Sequence, residues 1–217
     1  MPTRIVQIFG GILLGIVITV AWFTLSGIPS PVAPPAQTDV TGGSLPQPFA
    51  VPPLVGVNAA GDSVSTADAV DLTTAVVFGY TSCPDVCPLT LARVGRYRAE
   101  LPPGIRDRLR LLFVSLDPER DTPERLARYV AAFPGGAHAM TGEEIRAQVE
   151  GWGVRAEDGP RLDDGNYLVD HTARVFILNA RSEVVATLPP LPTPERIATL
   201  LDRVLAGRAA SSIPSQR

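Results

Sequence analysis

Two cysteines separated by three residues, Cys83 and Cys87, are the residues of this 217-residue chain best suited to chemistry, and the chain contains no other cysteine. An apolar, β-branched run precedes them and predicts a buried strand, and a stretch with helical periodicity follows them. We therefore predict that both thiols lie at a strand-to-helix turn, where free backbone N–H groups and the helix dipole favour a thiolate. Two such thiolates can be oxidised to a disulfide or can bind a soft metal ion.

The spacing of the pair bears on which of these it does. A structural disulfide suits an oxidising compartment, but closing so short a loop gains little stability from loop closure. The pattern Cys-x-x-x-Cys also differs from the Cys-x-x-Cys that is typical of thioredoxin-like redox proteins. The extra residue opens the gap between the sulfur atoms, and this suits a chelate at least as well as a fast disulfide exchanger.

Two histidines complete the set of candidate metal ligands. His171 lies among apolar residues of a predicted strand, and a purely structural role is the alternative for it. Thiolates select copper(I) and imidazole suits copper in either oxidation state, so Cys83, Cys87 and His171 form a plausible copper site. Zinc also accepts these donors, but it normally takes a fourth ligand or a catalytic water. His138 follows a glycine-rich turn and is predicted to be a surface loop residue.

Charged residues near the site have two interpretations. Asp85 and Asp170 flank the candidate ligands, so they could orient a ligand or contact a partner, and a solvated turn is the alternative. Five arginines after the cysteines could dock an acidic partner or form a solvated face: Arg93, Arg96, Arg106, Arg108 and Arg110. The net charge of −3 gives no indication of nucleic-acid binding. We find no phosphate loop, nucleophile elbow or carboxylate pair that would support hydrolase chemistry.

The elements that must position these residues follow from periodicity and turn residues. After a small hairpin at 54–65, the predicted order is strand 75–80, helix 88–101, strand 109–116, a helix from 123, helix 143–152, strand 167–178 with a break near His171, strand 184–188 and a helix from 194. This order predicts a three-layer α/β domain with a mixed sheet. A right-handed crossover through helix 88–101 places the cysteines at the carboxyl edge of the sheet, where such folds carry their sites.

The N-terminal segment predicts a membrane anchor. An uncharged, mainly apolar run within residues 1–25 is long enough to span a bilayer, and a cleaved signal peptide or a buried core helix is the alternative. Arg4 is the only basic residue before Arg93, so the N-terminus is expected in the cytoplasm and the domain on the outer side. Because no arginine-rich transit peptide precedes the run, we expect a bacterial inner membrane crossed once.

The remaining boundaries follow from composition. Residues 26–48 are rich in proline and cannot form a helix or a central strand, so they are predicted to be a linker that reaches about 70 Å at most. The folded domain is predicted to run from 49 to 207. Residues 208–217 are small and polar and are expected to form a flexible tail.

Three stretches, 79–88, 115–123 and 167–173, resemble the Sco/SenC family in residue type and in order. The resemblance implies a thioredoxin-like fold, a membrane anchor, a domain facing the periplasm or the intermembrane space, and copper bound by Cys83, Cys87 and His171. It also implies a role in assembling the dinuclear copper centre of cytochrome c oxidase. The sequence departs from the family pattern at the turn 179–182, which lacks the glycine often found there, and before Val76, where the usual Gly-Lys is absent.

Together these features predict a membrane-anchored copper metallochaperone rather than an enzyme. Its expected partners are the copper subunit of cytochrome c oxidase and other copper chaperones. The main alternative is a thiol-disulfide reductase that keeps the cysteines of that copper subunit, its client, reduced. A weaker alternative is a peroxiredoxin-like or redox-sensing protein. His171 separates the first two, because a metal carrier needs it and a dithiol reductase does not.

Overall fold

The computed structural model describes residues 43–69, 71–163 and 165–211, without the side chains of Pro46 and 207–211. The predicted membrane anchor at 1–25, most of the predicted linker and residues 212–217 lie outside the described residues. Within the described ranges, no helix is long and apolar enough to cross a membrane.

The described part of the chain contains ten strands and five α-helices. The strands are β1 Gly43–Ala50, β2 Val55–Asn58, β3 Ser63–Ser65, β4 Thr73–Gly79, β5 Leu109–Ser115, β6 His138–Thr141, β7 Ala156–Asp158, β8 Val169–His171, β9 Val175–Leu178 and β10 Glu183–Leu188. The helices are α1 Val86–Glu100, α2 Pro103–Arg106, α3 Pro123–Ala131, α4 Ile145–Val149 and α5 Pro194–Ser211. Short 3-10 turns cover Thr66–Asp68 and Glu150–Trp152.

Eight strands form one mixed sheet in the order β1-β10-β9-β4-β5-β6-β2-β3. The strand β4 lies near its centre, parallel to β5 and antiparallel to β9. The strands β2 and β3 form the predicted hairpin. The strands β9 and β10 form another antiparallel hairpin. The prediction of a mixed sheet is therefore confirmed.

Apolar side chains cover both faces of this sheet, which gives the three layers. Alternate residues of β4 belong to two different core clusters, so that Val77 packs with Leu91 of α1 and Phe78 packs on the other side. The first cluster also contains residues of α3 and α5, and the second contains α4. The strand β4 is buried along its whole length, and its carboxyl end leads directly into the cysteine turn.

The predicted domain boundaries need two corrections. The strand β1 begins at Gly43, inside the predicted linker, and pairs with β10 at the edge of the sheet. An edge strand tolerates prolines because its outer N–H groups need no partner, so the proline-rich composition did not reveal it. At the other end, α5 continues to Ser211, past the predicted limit at 207.

Two strands differ from the predictions. The strand β6 was not predicted, and it places His138 at the start of a strand parallel to β5 rather than in a loop, although the side chain remains exposed. Its four residues, His-Ala-Met-Thr, carry too few β-branched side chains to indicate a strand. The predicted strand 167–178 breaks after His171 into β8, which pairs with β7 in a separate small sheet, and β9.

Candidate metal centre

The cysteine turn connects the end of β4 to the start of α1, as predicted. Cys83 lies in the turn and is half-buried, whereas Cys87 lies in the first turn of α1 and is buried. Both thiols are free, and the Cys83 N–H donates to the Tyr80 carbonyl oxygen at 3.2 Å. A side chain at Gly79 would place its Cβ 2.6 Å from the Cys87 sulfur, so only glycine allows the strand and the thiol to approach this closely.

The two thiols have opposite acidities because they share a hydrogen bond. The Cys87 thiol donates to the Cys83 sulfur, and this contact lowers the pKa of Cys83 to about 5. Backbone N–H groups of the first turn of the helix and the charge of His171 act in the same direction. The same hydrogen bond and burial raise the pKa of Cys87. These opposite shifts favour a thiolate at Cys83 and keep the shared proton on Cys87.

His171 ends β8 and faces the cysteine turn. Its Nδ1 lies 3.2 Å from the Thr172 carbonyl oxygen, and its ring stands edge-to-face with Tyr80 at 6.2 Å between centroids. His171 and Cys87 line the same small pocket, which is also lined by residues of β4 and by Pro190. Within the described residues, however, no three His, Cys, Asp or Glu side chains are grouped closely enough to hold a metal ion. The three-ligand copper site therefore stays a prediction.

A buried carboxylate fixes the loop immediately before Cys83. Asp121 is fully buried and accepts hydrogen bonds from the Thr81 N–H at 2.8 Å, the Thr81 hydroxyl at 2.5 Å and the Ser115 hydroxyl at 2.6 Å. Arg125, at the surface, makes two further hydrogen bonds to this loop: it donates to the Thr81 hydroxyl at 2.6 Å and to the Ser82 hydroxyl at 2.8 Å. The position of the cysteine turn thus depends on the start of α3.

A second buried carboxylate connects this region to the strand that carries His171. Asp117 accepts hydrogen bonds from Arg120 Nε at 2.5 Å and from the Tyr167 hydroxyl at 2.7 Å. The Arg120 guanidinium lies 3.6 Å from the Tyr167 ring centroid and 5.8 Å from that of Tyr80. The three stretches of the sequence that resemble the family therefore meet at the carboxyl edge of the sheet.

The sequence alone does not single out these supporting residues. Asp121 lies just before the predicted helix from 123, and no pattern marks Asp117 or Tyr167. The one available signal was the second stretch, 115–123, in which a run of charged residues follows directly after a buried strand. A carboxylate in such a run looks solvated until the tertiary structure shows what covers it.

The other charged candidates are dispersed. Asp85 and Asp170 are exposed, and among the described residues neither makes a side-chain hydrogen bond or an ion pair. Asp85 lies in the turn before α1, whereas Asp170 lies in β8 opposite Glu157 rather than in the predicted turn. The five arginines do not form one face. Arg93 is half-buried and donates to the Leu191 carbonyl oxygen at 2.7 Å, Arg110 is half-buried in β5, and Arg108 is exposed.

The fold and the site define a class of protein: an α/β thioredoxin-like domain with a free dithiol at the start of a helix and a histidine facing it. The sequence model of the SCO1/SenC family matches residues 45–206, which is most of the chain. The chain belongs to the SCO1/SenC family, as the three motifs implied.

Relatives and a solved structure agree with this assignment. A putative copper-binding protein of Stutzerimonas stutzeri is 30% identical over 136 residues, covering 62% of this chain and 66% of the relative. The human mitochondrial SCO1 homologue is 37% identical over 112 residues, covering 50% of this chain and 37% of that protein. The chain thus spans less than two thirds of the length of each. The structure of Bradyrhizobium japonicum ScoI with copper bound matches with a TM-score of 0.62 and 31% identity, covering 71% of this chain and 99% of that one.

Proposed function

We propose that this chain is a copper metallochaperone that binds one copper ion through Cys83, Cys87 and His171. The observation that carries the proposal is the placement of a thiolate–thiol pair at the start of α1, with His171 lining the same pocket as Cys87. Copper in the related Bradyrhizobium structure and the name of the Stutzerimonas relative support the choice of metal. The donor set fits copper(I) and copper(II), because it combines soft sulfur with imidazole.

Each donor has a role that follows from its surroundings. Cys83 is the first donor, because it is already ionised and half-buried, within reach of an incoming ion. Cys87 binds next and releases its proton, which the metal displaces. The Thr172 carbonyl can only accept a hydrogen bond, so it favours the proton on His171 Nδ1 and leaves Nε2 free to bind the metal.

We further propose that the client is the dinuclear copper centre of cytochrome c oxidase, as the family resemblance implies. Copper passes stepwise, because thiolates of the client replace those of the carrier one at a time. The domain works outside the cytoplasm of a bacterial cell, tethered by residues 1–25. A reporter that is active only outside the cytoplasm, fused to the C-terminus, tests this orientation, and activity of a cytoplasmic reporter at that fusion contradicts it.

Copper binding is tested on the reduced full-length chain by elemental analysis after reconstitution. One copper per chain is expected in the wild type, together with a thiolate-to-copper(II) charge-transfer band. His171→Ala should lower copper(II) affinity by at least ~10-fold, the scale on which even outer-shell losses act. His138→Ala is the matched control, because it removes the other histidine, at the start of β6, and should bind copper normally. A reduced, folded wild type without copper contradicts the proposal.

A second candidate function, thiol-disulfide reduction, is favoured by the unequal pair of thiols. An ionised, half-buried Cys83 beside a buried, protonated Cys87 matches an attacking thiol and a resolving thiol. The histidine separates the two functions: reduction of a disulfide substrate should survive His171→Ala, whereas copper(II) affinity should fall by at least ~10-fold.

A further inference from the structure

A pocket of about 260 Å³ opens at the amino ends of β5 and β6, beside the turn of the β2–β3 hairpin. Its walls are alanine and valine side chains, and Arg110, His138 and Asn58 supply its polar lining. Arg110 lies five residues before Ser115, the partner of Gly79 in the sheet, so about 16 Å of strand separates it from the cysteine turn. The pocket therefore lies at the opposite end of the sheet from the dithiol.

The register places the two basic side chains on one face. His138 pairs with Leu112, and side chains alternate along a strand, so Arg110 and His138 point to the same side of the sheet. Arg110 is half-buried, and its Nε is shielded from solvent without a hydrogen-bond partner in the described structure. The Asp68 carboxylate attracts the Arg110 guanidinium only through a long-range electrostatic interaction. Among the described residues, no carboxylate forms an ion pair with Arg110. Leaving the shielded Nε–H of this half-buried guanidinium without an acceptor costs free energy, which a bound anion would offset.

The field around His138 is positive. Desolvation and then the positive charges of Arg110 and Arg98 lower the pKa of His138. Arg98 is already engaged by the carbonyl oxygens of Leu109 and Gly135, so Arg110 remains the cation available to a ligand. Among the residues that the structure describes, no acidic side chain lines the pocket, and the nearby Asp62 accepts a hydrogen bond from the Asn58 side-chain amide at 3.1 Å.

We propose that this pocket binds a small anion with an apolar part, a short-chain carboxylate or a phosphate ester, through Arg110 and His138. The anionic oxygens meet the guanidinium and the imidazole, and the apolar part packs on the alanine and valine walls. This site is separate from copper binding and does not depend on it.

Because the chain has only two histidines, proton NMR of the full-length, metal-free protein can follow both imidazoles in one experiment. Butyrate and inorganic phosphate are added separately at constant ionic strength, with chloride as the reference. The expected result is that one of the two probes raises the pKa of His138, because a bound anion stabilises the imidazolium, while His171 does not respond. The probe with the larger effect shows whether the pocket prefers carboxylates or phosphates.

Arg110→Gln should raise the pKa of His138 without any anion, since a neighbouring positive charge is removed, and should abolish the response to the probe. Arg108→Gln is the matched control, because Arg108 is exposed and does not line the pocket. An equal response of both histidines, or a response that persists in Arg110→Gln, overturns the proposal, because it indicates general screening.

Isothermal calorimetry provides a second test of anion binding, and it does not require the Arg110→Gln variant to fold. His138→Leu changes an exposed side chain and should weaken binding of the preferred probe by about tenfold, the scale of one hydrogen bond to a charged group. Unchanged affinity in this variant contradicts the proposal.

Discussion

At the scale of single residues, the site depends on one hydrogen bond between two thiols. The backbone N–H groups at the start of a helix favour an anion, but two adjacent thiolates would repel each other. The two cysteines avoid this repulsion because one proton stays on the more buried sulfur, that of Cys87. The glycine at position 79 makes the arrangement sterically feasible, since any side chain there would collide with that sulfur.

The first prediction concerns the reactivity of Cys83. Its rate of alkylation in the reduced full-length chain should rise with a midpoint near pH 5 and then level off, because only the thiolate reacts. Cys87 should stay unmodified over the same range. Mass spectrometry of the alkylated chain measures both rates.

Cys87→Ala removes the hydrogen bond, so the midpoint for Cys83 should move up towards the value of a free thiol, about 8.5. His171→Ala is the control and should give a smaller upward shift, because the charge of His171 is the smallest contribution to the low pKa. Equal reactivity of both thiols near pH 8.5 contradicts the described pair.

The second prediction concerns the turn that lacks the glycine of the family pattern. Ser182 has a φ of +59°, in the left-handed region, where a residue with a Cβ is strained. Ser182→Gly should therefore raise the free energy of unfolding by up to about 1 kcal/mol. Urea unfolding measures it. Ala180→Gly, in the same turn without a positive φ, should give no gain, and a loss of stability in Ser182→Gly contradicts the prediction.

At the scale of elements, the site is a junction of three segments rather than one motif. The cysteine turn is held by Asp121 at the start of α3, and the segment that carries His171 is held by Asp117 through Tyr167. Each segment follows a buried strand or packs on one, so the carboxyl edge of the sheet brings them together. The dithiol alone would have no fixed relation to the imidazole.

The third prediction tests this support at Asp121. Asp121→Ala leaves two hydroxyl groups and one N–H of a buried network without their acceptor, so it should lower stability by about 3 kcal/mol or more. Asp121→Asn keeps one oxygen acceptor and should cost less. Both are measured by urea unfolding of the full-length chain. Glu124→Ala is the control, because Glu124 is an exposed carboxylate of the same helix, and a cost as large as that of Asp121→Ala would contradict the prediction.

The elements also show what the sequence could and could not predict. The strand–turn–helix around the cysteines was predictable, because an apolar run, two prolines and a helical period meet there. The helix start at Thr122 was predictable from local chemistry, and its hydroxyl accepts from the Arg125 N–H at 3.3 Å. The strands β1 and β6 were not predictable from the sequence, because β1 is rich in proline and β6 has only four residues. Both become strands only through pairing with their neighbours. The buried carboxylates were missed for the same reason: burial is a property of the tertiary structure.

At the scale of the whole molecule, the sheet separates two kinds of chemistry. Its carboxyl edge carries soft and redox-active donors, and its amino end carries a basic pocket for hard anionic oxygens. The central strands between them, β4, β5, β9 and β10, supply buried residues to the cores on both faces of the sheet.

The last prediction decides between copper delivery and thiol reduction in cells. His171→Ala leaves both thiols in place and removes only the imidazole donor. If the chain delivers copper, oxidase assembly should be lost in this variant, and an added thiol reductant should not restore it, because reduction does not replace the missing ligand. Oxidase activity and the copper content of the isolated oxidase measure the outcome. His138→Ala should assemble the oxidase normally, since that side chain lies at the other end of the sheet. Normal assembly in His171→Ala at ordinary copper supply would instead assign the dithiol to reduction of the client cysteines.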